Sequence, residues 1–186
     1  MQVKNVIKLS AEMLNLEQTI QYLAGAETLD GQTNKSDADI LLRCFNLVVN
    51  EIAAEYRVFS KLKNIDTQNG VIEYPQIDNQ IISVNAVYKD GKTVRYKSMP
   101  NFISTSPGGV SVEYSYMPEN CEIEDNIDLS GTKIPERIIA YGVCAEYSII
   151  SGAYDEGLMW DKRFKDSLFS SLKKTKKLSV PLRRWI

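Results

Sequence analysis

The sequence predicts an α+β protein: a bundle of about four helices, an inserted small antiparallel β unit, and an extended C-terminal tail. Three observations carry that prediction. Apolar residues recur at three- and four-residue spacing both in the first third of the chain and after residue 129. Between 67 and 128 the period drops to two, and turn residues separate the runs. Beyond 177 the helical period is lost while large apolar residues persist. The predicted organisation is a discontinuous helical bundle over 1–66 and 129–177, a β unit with an acidic loop over 67–128, and a docking tail over 178–186. A chain of 186 residues can bury a sizeable core.

Taken in order, SAEMLNLEQTIQYLA (10–24) reads as a short helix with Ser10 as N-cap and Gly25 closing it. A polar loop follows, from Glu27 to Lys35. Ser36 and Asp39 resemble a capping box, predicting a long helix from there to about Lys63. Its buried stripe would be Ile40, Cys44, Leu47, Val48, Ile52, Tyr56 and Phe59. Strands are predicted at VIEY (71–74), IISVNAVY (81–88), TVRY (93–96), FIST (102–105) and VSVEYSY (110–116). Asp90-Gly91 marks a hairpin. A two-residue turn pairs Val87 with Val94 but sets Ala86 opposite Arg95. A three-residue loop, Asp90 to Lys92, sets Tyr88 beside Val94 and Ala86 beside Tyr96, and is preferred because it keeps one face apolar. In the last strand Val110, Val112, Tyr114 and Tyr116 share the core face. Pro135 suits a first helical turn, and Ile134, Ile138, Tyr141, Ala145 and Ile149 form a stripe ending at Gly152. A final helix from about Asp155 carries Trp160, Phe164, Leu168 and Leu172 at i, i+4 steps.

Charge and cysteines narrow the classes. The formal net charge is only −2, but residues 161–186 hold nine Lys and Arg against two Asp, leaving the rest of the chain acidic. The acidic maximum is PENCEIEDNID (118–128). Cys44, Cys121 and Cys144 are odd in number and widely spaced, which suits neither a disulfide framework nor a zinc site. With no signal-type segment and no apolar run approaching about eighteen residues, the expectation is a chain made in the cytosol and not inserted in a membrane.

The chain has no histidine, which removes Ser-His-Asp and Cys-His catalysis and most catalytic zinc sites. AVYKDGKT (86–93) approaches the P-loop pattern, but Ala86 replaces its first Gly and the segment leads into a strand, so a hairpin turn is the reading. ENCEIEDNID lacks the glycine and register of a calcium loop. Tyr114 and Tyr116, near Arg95 and Lys97, are what a base-stacking surface would use; tyrosines at period two read as a core face instead. The expectation is no enzyme activity and no cofactor or metal.

The tail is harder to explain as a solvated end. After four lysines come Leu178, Val180, Leu182, Trp185 and Ile186, interleaved with Arg183 and Arg184. Trp and Arg are typical interface anchors, so this segment is predicted to dock on another chain. A rival reading is a nucleic-acid-binding packaging or regulatory protein that uses the same basic tail.

Five stretches bear on a resemblance: MQVKNVIKLSAEMLNL, LLRCFNLVVNEIAAEY, VSVEYSYMPEN, IPERIIAYGVCAEYSIISGAYDEGLMWDKRFKDSL, and the basic segment ending RRW. Together they resemble the head-to-tail adaptor (connector, or neck) proteins of tailed bacteriophages and prophages, over nearly the whole chain. The resemblance implies a structural virion protein with a helical bundle and an inserted β unit. It implies a homo-oligomeric ring, typically of twelve subunits, under the portal protein, with a tail or stopper protein below. The protein would be made in the host bacterial cytoplasm and reside at the capsid's portal vertex, where double-stranded DNA passes through the ring. On that reading the tail residues named above bind the portal or a neighbouring adaptor. Glu119, Glu122, Glu124, Asp125 and Asp128 are then candidates to line the channel, where like charge repels phosphate and limits sticking.

Overall fold

A computed structural model describes residues 1–25, 31–128 and 134–172, with the backbone alone at 31–34. The chain begins with two helices, α1 (Val3–Met13) and α2 (Glu17–Leu23), where one was predicted over 10–24. Val3, Val6, Ile7 and Ala11 already form a buried helical seam, so α1 starts well before Ser10. The break falls at Asn15, which adopts a left-handed φ of 56°, a conformation Asn tolerates better than most residues. Ser10 is therefore no N-cap. It is buried inside α1, and its Oγ donates to the Val6 carbonyl at 2.8 Å. Gly25, at φ 82°, follows α2 in the position where a left-handed residue ends a helix.

The long helix α3 (Gly31–Tyr56) starts ahead of Ser36 and stops short of Lys63. Arg57 at φ 51° breaks it, and Ser60–Thr67 is strand β1 instead. The β unit thus starts at Ser60, not at 67. The buried arc of α3 centres on Leu41, Cys44, Phe45, Val48 and Ile52. Leu47 lies at its edge and is 53% exposed, contrary to the predicted stripe.

Two antiparallel sheets form the β unit. The larger has the order β1-β7-β3-β4, with β7 at Gly108–Tyr116, β3 at Ile81–Lys89 and β4 at Lys92–Val94. The smaller joins β2 (Val71–Glu73), β6 (Phe102–Ser104) and β5 (Lys97–Ser98), and a single helical turn, α4 (Tyr74–Ile77), follows β2. Ile72 and Ile103 of the small sheet pack with Val87, Val110, Val112 and Tyr114 of the large one to make a local core. Gly70 enters β2 at φ 69°, and a Cβ there would collide with the Thr105 carbonyl.

The hairpin departs from the preferred three-residue loop. Lys89 pairs with Lys92 and Val87 with Val94, so the turn is the two residues Asp90 and Gly91. Both have positive φ, 50° and 74°, the signature of a type I′ turn matched to strand twist. The apolar face survives because β3 shifts register between Ile81 and Ser83 and again between Val84 and Ala86. The second shift puts Val84 and Val87 opposite Tyr114 and Val112, on one side of the sheet, although they are three residues apart.

Helix α5 (Glu136–Ile150) has Pro135 as N-cap and is buried nearly all round from Ile138 to Ala145. Ile149, predicted in its stripe, is partly exposed. Gly152, at φ 84°, reverses the chain into α6 (Tyr154–Leu172). Phe164 and Leu168 of α6 are buried, and Trp160 stacks on Tyr141 of α5 with ring centroids 5.6 Å apart. Gly142 lets the helices close up: a Cβ there would lie 2.8 Å from Val48 Cγ1 and 3.2 Å from Phe164 Cδ2. Tyr147 of α5 reaches Asp37 while Gly142 meets Val48, so α5 runs antiparallel to α3. Reversed at Gly152, α6 packs on α5 and runs in the same direction as α3. The main core joins α1, α3, α5 and α6. Phe59 and Tyr116 meet edge to face at 6.0 Å where this core adjoins the β unit. Among the described residues no helix is long and apolar enough to cross a membrane.

Candidate interaction surfaces

The predicted docking segment, Leu178, Val180, Leu182, Arg183, Arg184, Trp185 and Ile186, lies outside the described residues. The acidic loop after β7 is described as far as Asp128, and it is tied to the helical body. Asn46 of α3 holds it at Cys121: Oδ1 accepts from the Cys121 amide at 2.8 Å, and Nδ2 donates to the Cys121 carbonyl at 3.1 Å. Further on, the Val3 amide donates to the Asp125 carbonyl at 3.1 Å, the Ile127 amide donates to the Met1 carbonyl at 2.9 Å, and Gln2 bridges Asn126. Ile127 is buried beneath this strap.

Glu119, Glu122, Glu124, Asp125 and Asp128 are all exposed on this loop. Lys4 meets Glu124 at 2.8 Å, and an exposed pair of this kind contributes little to stability. The Asp125 carboxylate accepts the Glu122 amide at 2.7 Å, which closes a turn. The structure therefore sets Glu122, Glu124 and Asp125 beside the start of α1, with Glu119 and Asp128 exposed on the same loop. Negative charge there also suits the positive end of the helix dipole.

The tyrosines are placed as the core reading expects. Tyr114 is buried, and its hydroxyl donates to Asp78 at 2.9 Å. Burial first, then that carboxylate, pushes the phenol up to about 12. Tyr116 is half-buried under the Lys61 ammonium, 4.0 Å above its ring. The outer face of the large sheet is polar, with Tyr88 donating to Glu113 at 2.7 Å. A shallow open depression of about 560 Å³ lies there, lined by Leu62, Tyr88, Ser111 and Glu113 among others.

The cysteines offer little chemistry. Burial pushes the Cys44 and Cys144 thiols up to about 12, far from a reactive thiolate at neutral pH. Cys121 is half-buried and also raised, by burial and then by Asp125. Among the described residues no group of three or more His, Cys, Asp or Glu side chains could hold a metal ion.

One surface was not read from the sequence. Along α6, Tyr154 and Leu158 are about two-thirds exposed, at 66% and 67%. With Asp161 and Lys165 they follow i, i+4, i+7 and i+11, so all four share one side of the helix. Asp161 and Lys165 come near α3: Glu51 feels Glu55 on its own helix together with Lys165 and Asp161 of α6. Leu47 stands one turn before Glu51 on α3. Lys165 is bonded to Asp161 at 2.9 Å. Burial, followed by the Glu55 charge, holds the Glu51 carboxyl above the usual carboxylate range. Arg43, one turn before Leu47 on α3, is exposed as well, so both signs of charge stand beside these apolar side chains. The available signal was that Tyr154 and Leu158 fall off the Trp160–Phe164–Leu168 stripe.

No protein-family model matches this chain, and no curated protein sequence matches it either.

Proposed function

We propose that this chain is a structural virion protein, a head-to-tail adaptor that forms a ring under the portal, joins it to the tail and leaves a channel for DNA. The resemblance in sequence carries the reading. The four main helices α1, α3, α5 and α6 would be its bundle, and the sheets set between α3 and α5 its inserted β unit. One structural observation supports it most: exposed apolar side chains on α3 and α6 give the helical body a face suited to a neighbour. In a closed ring each subunit presents one face to the next and a different face to the previous one.

The exposed carboxylates of the 119–128 loop suit a channel mouth, because they would repel the phosphate backbone and let a genome slide past. Residues 178–186 would engage the portal or an adjacent adaptor, with Trp185 as the buried anchor. The test is to mix the purified chain with isolated portal rings and image the product by electron microscopy. Added ring density with a central channel on one portal face supports the reading. Portal rings without added density, together with tight duplex binding that falls steeply with salt, would instead favour a nucleic-acid-binding protein.

A further inference from the structure

We propose that the β3–β4 hairpin and the stretch leading into β5, residues 89–97, form a contact surface for the phosphate backbone of duplex nucleic acid. This deepens the adaptor reading, and rests on it only for that duplex being a genome in passage.

The hairpin holds an arrangement that the fold alone does not favour. Lys89 and Lys92 are paired directly opposite each other, and like charges so placed destabilise a sheet. A lysine on an edge strand guards that edge against pairing, which accounts for Lys92 but not for Lys89 beside it. The Lys89 ammonium donates to the Pro107 carbonyl at 2.7 Å, and Asp90 and Gly91 close the turn tightly, so the pair is fixed in place. Two more cations stand close by. Lys97 is paired with Ser104, three residues before Pro107, and Arg95 lies two residues before Lys97. Lys92, Arg95 and Lys97 are all exposed. Among the described residues none of these four cations forms an ion pair. The acids at this end of the sheet are Asp90, in the turn, and Asp66, opposite Gly109. Four cations against two acids leave the patch positive in a chain whose formal charge is −2.

Position keeps the patch apart from the chain's acidic loop. Tyr88 lies opposite Ser111 near the start of β7, whereas Ile81 lies opposite Tyr116 at its end. The acidic loop leaves from that far end and is tied to the helical body at Asn46 and Val3. From Val110, level with Lys89, to Tyr116 is about 20 Å of strand, more than twice the screening length of about 8 Å in physiological salt. The loop therefore does not neutralise the hairpin.

The pattern of charge selects the partner. From Lys92 to Lys97 the chain spans at most about 18 Å, and one DNA strand presents a phosphate at about every 3.4 Å of axis. A polymer charged at every step meets all these cations at once. The aromatic residue in the run adds no base contact, because the Tyr96 hydroxyl is bonded to the Val84 carbonyl at 2.8 Å. Contacts to the backbone alone position a duplex without reading its sequence, and contacts of this electrostatic kind let it slide.

Two full-length variants test this by fluorescence anisotropy with a labelled duplex in rising salt. Lys92→Gln/Arg95→Gln/Lys97→Gln removes the patch. Lys8→Gln/Arg43→Gln/Lys162→Gln removes three exposed cations of the helical body. The basic residues beyond α6 are the same in both proteins, so their share cancels. The patch variant should lose about 2.7 from the slope of log K against log salt, or about 0.9 for each contact. The body variant should keep the parent's slope to within about one. With the repulsion opposite Lys89 relieved, the patch variant should melt no lower than the parent, which separates a lost contact from a lost fold. A patch variant with the parent's slope overturns the proposal, even if it no longer binds an acidic protein partner. A body variant that loses as much slope overturns it too, as does a parent that binds no duplex at about 25 mM salt. A chain that loses duplex with the patch but never adds to portal rings would remove the adaptor reading and leave this contact standing. Portal-bound rings from a chain whose salt slope ignores the patch would do the reverse.

Discussion

A methyl group placed at Gly142 should destabilise the fold, and trimming Val48 should relieve most of that cost. The added Cβ would sit 2.8 and 3.0 Å from the two Val48 methyls and 3.2 Å from Phe164 Cδ2. Carbon atoms normally rest at about 3.5–4.0 Å, so the overlap with Val48 approaches an ångström. Overpacking of this kind costs about 1–3 kcal/mol. Exchanging Gly for Ala inside a helix returns about 1 kcal/mol. The net loss for Gly142→Ala is then about 1 kcal/mol, a fall of about 2–4 °C in Tm for a chain of this size. Val48→Ala alone opens a cavity at the α3–α5 contact and should cost about 2–3 kcal/mol. In the double variant the new methyl occupies the vacated space. Its stability should exceed the additive expectation by about 1–3 kcal/mol and at least equal that of Val48→Ala. Urea unfolding followed by circular dichroism on all four proteins measures the coupling. Additivity within about 0.5 kcal/mol, or a Gly142→Ala chain that melts higher than the parent, would show that the helices are not held at this distance.

Further outcomes follow from the charges, thiols and tyrosines. Because the Glu51 carboxyl is raised above its ordinary value of 4.5, the folded chain keeps that proton longer than the unfolded one, and stability falls as pH rises through this window. Glu51→Gln should therefore melt higher than the parent at pH 7 and match it near pH 4; a lower Tm at pH 7 contradicts the crowding of Glu51 with Glu55. Native alkylation should label Cys121 first, since Cys44 and Cys144 are fully buried with thiols near 12; peptide mapping that finds all three labelled at one rate would contradict this. Tyr114→Asp places a second carboxylate against Asp78 inside the β-unit core and should cost more than about 2 kcal/mol. An unchanged Tm would mean that this face of β7 is open to solvent.

The parts of the fold legible in the sequence are those where burial writes a period. The α6 stripe of Phe164 and Leu168, and the β7 alternation of Val110, Val112 and Tyr114, were readable because each buries one face. The first half of strand β1, Ser60–Lys63, reads as the end of a helix because only Ile65 and Thr67 turn inward from an edge whose other side chains meet solvent. An exposed edge leaves no alternation to read, and its lysines are what protects such an edge from pairing with other chains. The hairpin register failed for a different reason. Parity arguments assume an unbroken strand, and the shift between Val84 and Ala86 moves Val87 onto the face of Val84. For the interaction surfaces, PENCEIEDNID announced its own exposure. The exposure of Leu47, Tyr154 and Leu158 did not, because they look like core residues until the helices are packed.

The central claim is that this protein works by assembling beneath a portal. Electron microscopy of tailed particles that contain it, with gold-labelled antibody against the chain, tests that claim most directly. The account predicts label at a single capsid vertex, between head and tail, and a ring of density there that disappears from particles assembled without the protein. Label spread over the capsid surface, or held with the packaged DNA inside the head, would contradict it.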